Sequence, residues 1–143
     1  MRYLVLVSHG TFAPGLHSVL RMLSGDRDDV LSCSLEDGMG ADQYVENLKG
    51  VIAPITDDDE VLLLGDIIGG SPLTNALKVL SDKGLLAHTS AFGGMNLPMA
   101  LTAVLQLQTD DLDALKASMV TEAREATKEL ELETPSSDDE DDI

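Results

Sequence analysis

YLVLVSHGTFAPGLHSVLRMLSG, residues 3–25, contains the step that decides the fold. Tyr3 to Val7 is unbroken apolar sequence ending in Ser8, His9 and Gly10. A strand with one wet face would alternate apolar and polar residues, so this run reads as a strand buried on both faces. A helix follows it. Pro14 suits a first turn, Leu16, Val19, Leu20 and Leu23 recur at helical spacing, and Gly25 offers the stop.

The same alternation continues along the chain. Val30 to Leu35 reads as a second strand; Gly38 and Gly40 mark a turn; Tyr44, Val45, Leu48, Val51 and Ile52 form a helical stripe that Pro54 closes. The acidic loop around Asp57 to Asp59 faces solvent, and Val61 to Leu64 is a second doubly buried strand ending at Gly65 and Asp66. Ser71 is placed to cap the next helix, Pro72 takes its first position, Ala76, Leu77 and Leu80 supply its stripe, and Gly84 ends it. Leu85 to Ala91 is a fourth strand, and GGMNLPM leads into a helix through Met99, Leu101, Ala103 and Leu105. A last helix runs from near Asp110 to about Lys128. Leu130 and Leu132 then alternate with glutamates, a period-two pattern that suits an edge strand, in this subunit or a neighbour's, or else a fraying helix end.

Strands alternating with helices demand parallel pairing through right-handed crossovers. The expected fold is therefore α/β, a doubly wound and mainly parallel sheet in the flavodoxin-like order 2-1-3-4. Helices cover both faces, and an antiparallel C-terminal strand is available at the edge. A chain of 143 residues with 43% apolar content supports one domain, assigned to residues 1–133, followed by an acidic, disordered tail at residues 134–143.

Composition removes several function classes. A formal charge of −17 repels nucleic acid and anionic membranes and favours a basic protein partner. No apolar run reaches the roughly 18 residues of a membrane helix, and the N-terminus lacks signal-peptide character, so a cytoplasmic protein with no direct membrane insertion is expected. The single cysteine, Cys33, excludes a disulfide framework and a thiolate zinc site, and reads as a small core residue. Met22, Met95, Met99 and Met119 read as core fillers, and His17 and His88, the latter within the fourth strand, as structural.

Three strand ends carry unusual loops: SHGT, GDIIGGSP and FGGMNLP. In the order 2-1-3-4 the first and third strands are neighbours, so His9 and Asp66 meet at the topological switch point. A neutral imidazole attacks phosphorus well when one nitrogen is bare and the other is held by an acceptor, and Asp66 is placed to be that acceptor. Gly69, Gly70 and Ser71, just before a helix, can present N–H groups to phosphoryl oxygens at a positive helix terminus. The same pattern also suits a module that merely binds a ligand. No acidic metal cluster is visible at the strand ends.

These residues resemble a known family. LVSHGTFAPGL is similar to the phosphorylation-site segment of mannose-family IIA components of sugar phosphotransferase systems, GDIIGGSPLTNA to their aspartate-bearing loop, and GGMNLPMAL to the segment that follows, from Tyr3 to about Lys128 in all. The resemblance implies that His9 is the phosphohistidine and Asp66 its hydrogen-bond partner, with Ser71 and the preceding glycines lining the phosphoryl site. It further implies that phosphate arrives from the phosphocarrier protein HPr and leaves to a IIB component, without metal or cofactor, and that the protein is a homodimer exchanging its C-terminal strands. The phosphotransfer subunit of dihydroxyacetone kinase is the near alternative. A histidine phosphatase is disfavoured because Ser8 stands where its phosphate-clamping arginine would be.

Overall fold

The computed structural model describes residues 1–109 and 111–133. Four strands, β1 (Arg2–His9), β2 (Val30–Leu35), β3 (Glu60–Gly65) and β4 (Thr89–Phe92), form one sheet in the order β2-β1-β3-β4, every pairing parallel. Five helices connect and flank them: α1 (Phe12–Ser24), α2 (Ala41–Val51), α3 (Ser71–Asp82), α4 (Leu97–Gln106) and α5 (Leu112–Glu125). The expected α/β class and strand order are those observed.

The two-residue period of β1 divides the core. Leu4 and Leu6 point with Leu62 and Leu64 into a cluster completed by Leu16 and Leu20 of α1, Ala103 and Val104 of α4, and Leu115 and Met119 of α5. Tyr3, Val5 and Val7 point the other way, with Val61 and Leu63, onto Tyr44 and Leu48 of α2 and Ala76, Val79 and Leu80 of α3. Each buried leucine or valine contributes about 1.5–3 kcal/mol, so burial on both faces makes β1 and β3 the centre of the domain. Cys33 is buried, as expected.

Four readings need correction. β4 is shorter than the expected Leu85–Ala91 because Leu85 plugs the core, and its carbonyl accepts from the His88 N–H (3.0 Å) and Thr89 Oγ1 (2.8 Å). The chain thereby turns through a 3-10 helix, Leu86–His88, which puts the exposed His88 before the strand rather than within it. Met22 is no core filler: it lies on the outer face of α1, 84% exposed, whereas Met95, Met99 and Met119 are buried. Ser71 does not cap α3; Gly70 holds the cap position with no side-chain cap bond. Finally, α5 ends at Glu125, short of the expected Lys128; it starts near the expected point, with the Asp111 carboxylate accepting from the Ala114 N–H at 3.2 Å, and Asp110 lies outside the described residues. Residues 129–133 form no strand in this chain, and Leu130 and Leu132 are largely exposed. The tail assigned to residues 134–143 lies outside the described residues.

Candidate functional site

The alternation that divides the core also aims the last residues of β1. Ser8 follows Leu6 toward α1, where its buried Oγ accepts from the Ala13 N–H at 2.7 Å and fixes the helix start. His9 follows Val7 toward α3. Because β3 lies beside β1 with Val7 opposite Gly65, Asp66, the residue after β3, comes level with Ser8 and its side chain reaches the next residue, His9.

One carboxylate oxygen does most of the holding. Asp66 Oδ2 accepts from the His9 backbone N–H (2.9 Å) and lies 2.8 Å from His9 Nδ1, while Oδ1 accepts from the Ile67 N–H (2.9 Å). Partial burial pushes the Asp66 pKa up, but the His9 backbone and ring bonds, the Ile67 N–H and the attraction of His9 together hold it below the usual carboxylate range. Asp66 is thus an ionised acceptor that favours the proton on Nδ1, and in that tautomer the lone pair lies on Nε2.

That bare nitrogen faces the α3 end of the β3–α3 loop. A Cβ on Gly70 would lie 2.9 Å from His9 Cε1 and 3.7 Å from Nε2, so only glycine lets the backbone approach the ring this closely. Gly69 has φ of +86°, a conformation that L side chains rarely adopt. Ser71 begins α3, where the first-turn N–H groups have no intrahelical acceptor and the helix dipole is positive. Its Oγ accepts from Asn75 Nδ2 at 2.8 Å, which leaves the hydroxyl proton available to another acceptor. All five residues singled out in the sequence, His9, Asp66, Gly69, Gly70 and Ser71, therefore stand on one edge of the sheet. The imidazole is 45% exposed, open to a reacting partner, whereas the carboxylate behind it is 15% exposed.

Three supporting contacts escaped the sequence. Tyr44, fully buried on α2, donates its hydroxyl to the Pro72 carbonyl at 2.8 Å and steadies the first turn of α3. The Gly94 N–H donates to the Asp66 carbonyl and the Met95 N–H to the Gly65 carbonyl, both at 3.0 Å, tying the β4–α4 loop to the end of β3. Asn96 caps α4, accepting from the Met99 N–H at 3.0 Å and donating to the Ala123 carbonyl at 3.1 Å. The first answers to no motif in the sequence; the other two answer to the FGGMNLP motif, whose glycines and asparagine were the available signal. Among the described residues no group of three or more His, Cys, Asp or Glu side chains could hold a metal, and no helix is long and apolar enough to cross a membrane.

A doubly wound α/β domain with an anchored imidazole beside a helix N-terminus is an arrangement that can bring a nitrogen nucleophile to an anion. Sequence comparison names the lineage. The EIIA-man family model, the fructose IIA component of the phosphotransferase system, matches residues 3–120, and the chain belongs to this family of phosphotransferase-system IIA components. The mannose-specific EIIAB component of Escherichia coli K12 is 32% identical over 129 residues, covering 89% of this chain but 39% of that protein, so the chain spans about two fifths of that relative's length. The fructose-specific EIIA component of Bacillus subtilis 168 is 28% identical over 118 residues, 79% of this chain and 78% of that one. In fold, the mannose/sorbose-specific IIA subunit from Enterococcus faecalis superposes with a TM-score of 0.78 at 22% identity, over 94% of this chain and 98% of that one.

Proposed function

We propose that the protein is a cytoplasmic phosphoryl carrier of a sugar phosphotransferase system, accepting phosphate from HPr on His9 Nε2 and passing it to a IIB component during sugar uptake. The observation that carries this reading is the 2.8 Å contact of Asp66 Oδ2 with His9 Nδ1, which leaves Nε2 as the free nucleophile beside the backbone of Gly70. In the transfer, the bond from Nε2 to phosphorus forms as the phosphorus–nitrogen bond to the donor histidine breaks. The proton on Nδ1 stays in place, and Asp66 stabilises the cationic ring, as the aspartate does in a catalytic triad. Gly69, Gly70 and Ser71 supply main-chain and hydroxyl donors to the phosphoryl oxygens. Positioning and fixed dipoles suffice for exchange between two nitrogen bases, so the reading calls for no metal or cofactor.

Incubation with phosphoenolpyruvate, enzyme I and HPr should place acid-labile phosphate on His9, and His9→Gln should abolish the label while keeping the thermal midpoint. A label retained in that variant overturns the reading.

The same proposal includes a homodimer. β4 is the last strand of the sheet, so its outer edge carries no strand partner among the described residues. Ala91, Phe92, Val120 and Ala123 line a cavity of about 320 Å³ there, and Leu130 and Leu132 stand 75% and 88% exposed. Exchange of the C-terminal segments between two copies would pair the edge and bury both leucines. Sedimentation should give a dimer, and Leu130→Asp together with Leu132→Asp should give a monomer; a monomeric wild type refutes the exchange.

A further inference from the structure

The loop from Asp66 to Gly70 carries both the anion that holds His9 and the main chain that faces its free nitrogen, yet its middle residue, Ile68, is 80% exposed. A loop of this kind needs something to set its path. The β4–α4 loop supplies a contact at Gly93. Gly94, the next residue, has φ of +67° and needs glycine for its backbone conformation, but Gly93 has no such requirement. Space is what excludes a side chain at Gly93. A Cβ there would overlap Ile68 Cγ1, lie 2.9 Å from Ile68 Cδ1 and stand 3.2 Å from the Ile68 backbone nitrogen. The branched Ile68 side chain therefore lies across bare backbone, one residue from Gly69 and two from Gly70.

We propose that Gly93 and Ile68 form a matched pair that positions the phosphoryl-facing loop, with Gly93 acting on His9 chemistry through Ile68 rather than by touching the reacting atoms. The proposal rests on the phosphocarrier reading of His9 for its rate consequence but not for its geometry. A side chain at Gly93 pushes hardest on Ile68 Cγ1 and Cδ1, and only weakly, at 3.2 Å, on the Ile68 backbone nitrogen. The displacement is then handed along two peptide units to Gly70, which has no room for a side chain beside the His9 ring.

Potassium phosphoramidate, a donor too small to need a docking surface, isolates this effect: His9 Nε2 takes its phosphoryl group as the phosphorus–nitrogen bond breaks and ammonia leaves. Gly93→Ala should slow labelling of His9 by roughly tenfold, the scale expected of a sub-ångström misplacement. It should also shift the amide resonances of Gly69 and Gly70. Ile68→Ala added to Gly93→Ala removes the two overlapping side-chain atoms and should restore most of the rate and return the resonances toward wild type. A purely structural role for Gly93 would lower the thermal midpoint without this selective rescue. The proposal is overturned if Gly93→Ala leaves the Gly69 and Gly70 resonances unmoved, or if the double variant matches Gly93→Ala in them. Failure of the wild type to label at His9 would instead strike the phosphocarrier reading, while the resonances would still test the pair.

Discussion

The two edges of the sheet use charged groups in opposite ways. At the edge where the strands begin, Arg2 donates to Glu60 (3.0 Å) and to the Leu107 carbonyl (3.1 Å), and Arg27 grips Asp29 with two bonds of 2.9 and 2.7 Å while a third, 2.7 Å, reaches the Val104 carbonyl. Gln108 closes the network, donating to Asp29 at 3.0 Å and to the Arg2 carbonyl at 2.7 Å. At the edge where the strands end, Asp66 pairs with no arginine or lysine among the described residues; it holds a histidine that keeps one nitrogen free. Asp29 and Asp66 are both held below the usual carboxylate range after overcoming desolvation, Asp29 by the Arg27 and Gln108 bonds and the Arg27 charge, Asp66 by the His9 and Ile67 donors. A shift in the same direction thus accompanies a closed clamp at one end and an open imidazole at the other, and the difference lies in whether the partner has a nitrogen to spare.

The comparison breaks most visibly at Asp66. Asp66→Asn keeps the shape but removes the charge that fixes the tautomer and stabilises the cationic ring, and should slow phosphorylation of His9 on the order of a hundredfold. An unchanged rate in a single-turnover assay would show that the anion is not needed. The pH dependence has a definite sign. The folded-state pKa of Asp66 lies below its ordinary value of 3.8, so its contribution to stability is complete above that value and is lost as pH falls through the folded one. Below about pH 4 the wild type should therefore lose stability more steeply than Asp66→Asn.

At the opposite edge the effect should fall on stability alone. Arg27→Met leaves the Asp29 carboxylate, which is buried, with Gln108 as its remaining side-chain donor, and should cost about 1.5–3 kcal/mol in urea unfolding. His9 labelling should keep its wild-type rate. A slowed label would mean that the two edges are coupled through β1.

Doubly buried strands were easy to read because burial on both faces leaves a continuous apolar run, and Tyr3–Val7 and Val61–Leu64 have little else they could be. Order 2-1-3-4 followed from parallel crossovers, and with it the meeting of His9 and Asp66, 57 positions apart in sequence. β4 looks longer in the sequence than it is because Leu85 and Leu86 are apolar for different reasons: the first fills the core beside α3, whereas the second is about half exposed. Sequence composition cannot separate them. Ser71 has the residue type of a cap, but the Gly70 backbone takes that position, a choice set by the close approach of the loop to His9. Nor could the pairing of Ile68 with Gly93 be read, since it depends on where two loops cross.

Tyr44 sharpens the contrast from beneath the site. Its hydroxyl is buried, and burial together with the nearby Cys33 and Asp66 drives its pKa far above the ordinary tyrosine value. It is therefore a permanent donor to the Pro72 carbonyl. Tyr44→Phe removes one hydrogen bond and should cost about 1 kcal/mol. Because that bond steadies the helix start and not the histidine, labelling should slow by less than the Asp66 variant. A loss as large as that of Asp66→Asn would move Tyr44 into the reacting centre.

The smallest effect is expected at His17, which sits between the edges with Nδ1 2.7 Å from Ser32 Oγ. Burial lowers its pKa, the Arg21 charge adds to the lowering, and Asp26 opposes it only in part. The unfolded chain therefore binds a proton near the ordinary value of 6.5 that the folded chain refuses until lower pH. With more protons on the unfolded state in that window, stability rises with pH across it and is lost as pH falls below 6.5. The urea midpoint should accordingly drop between pH 7.5 and pH 5.5 in the wild type and drop less in His17→Gln. Equal slopes would mean that His17 is protonated as readily inside the fold as outside it. In that case Ser32 would be accepting from a charged ring inside the fold.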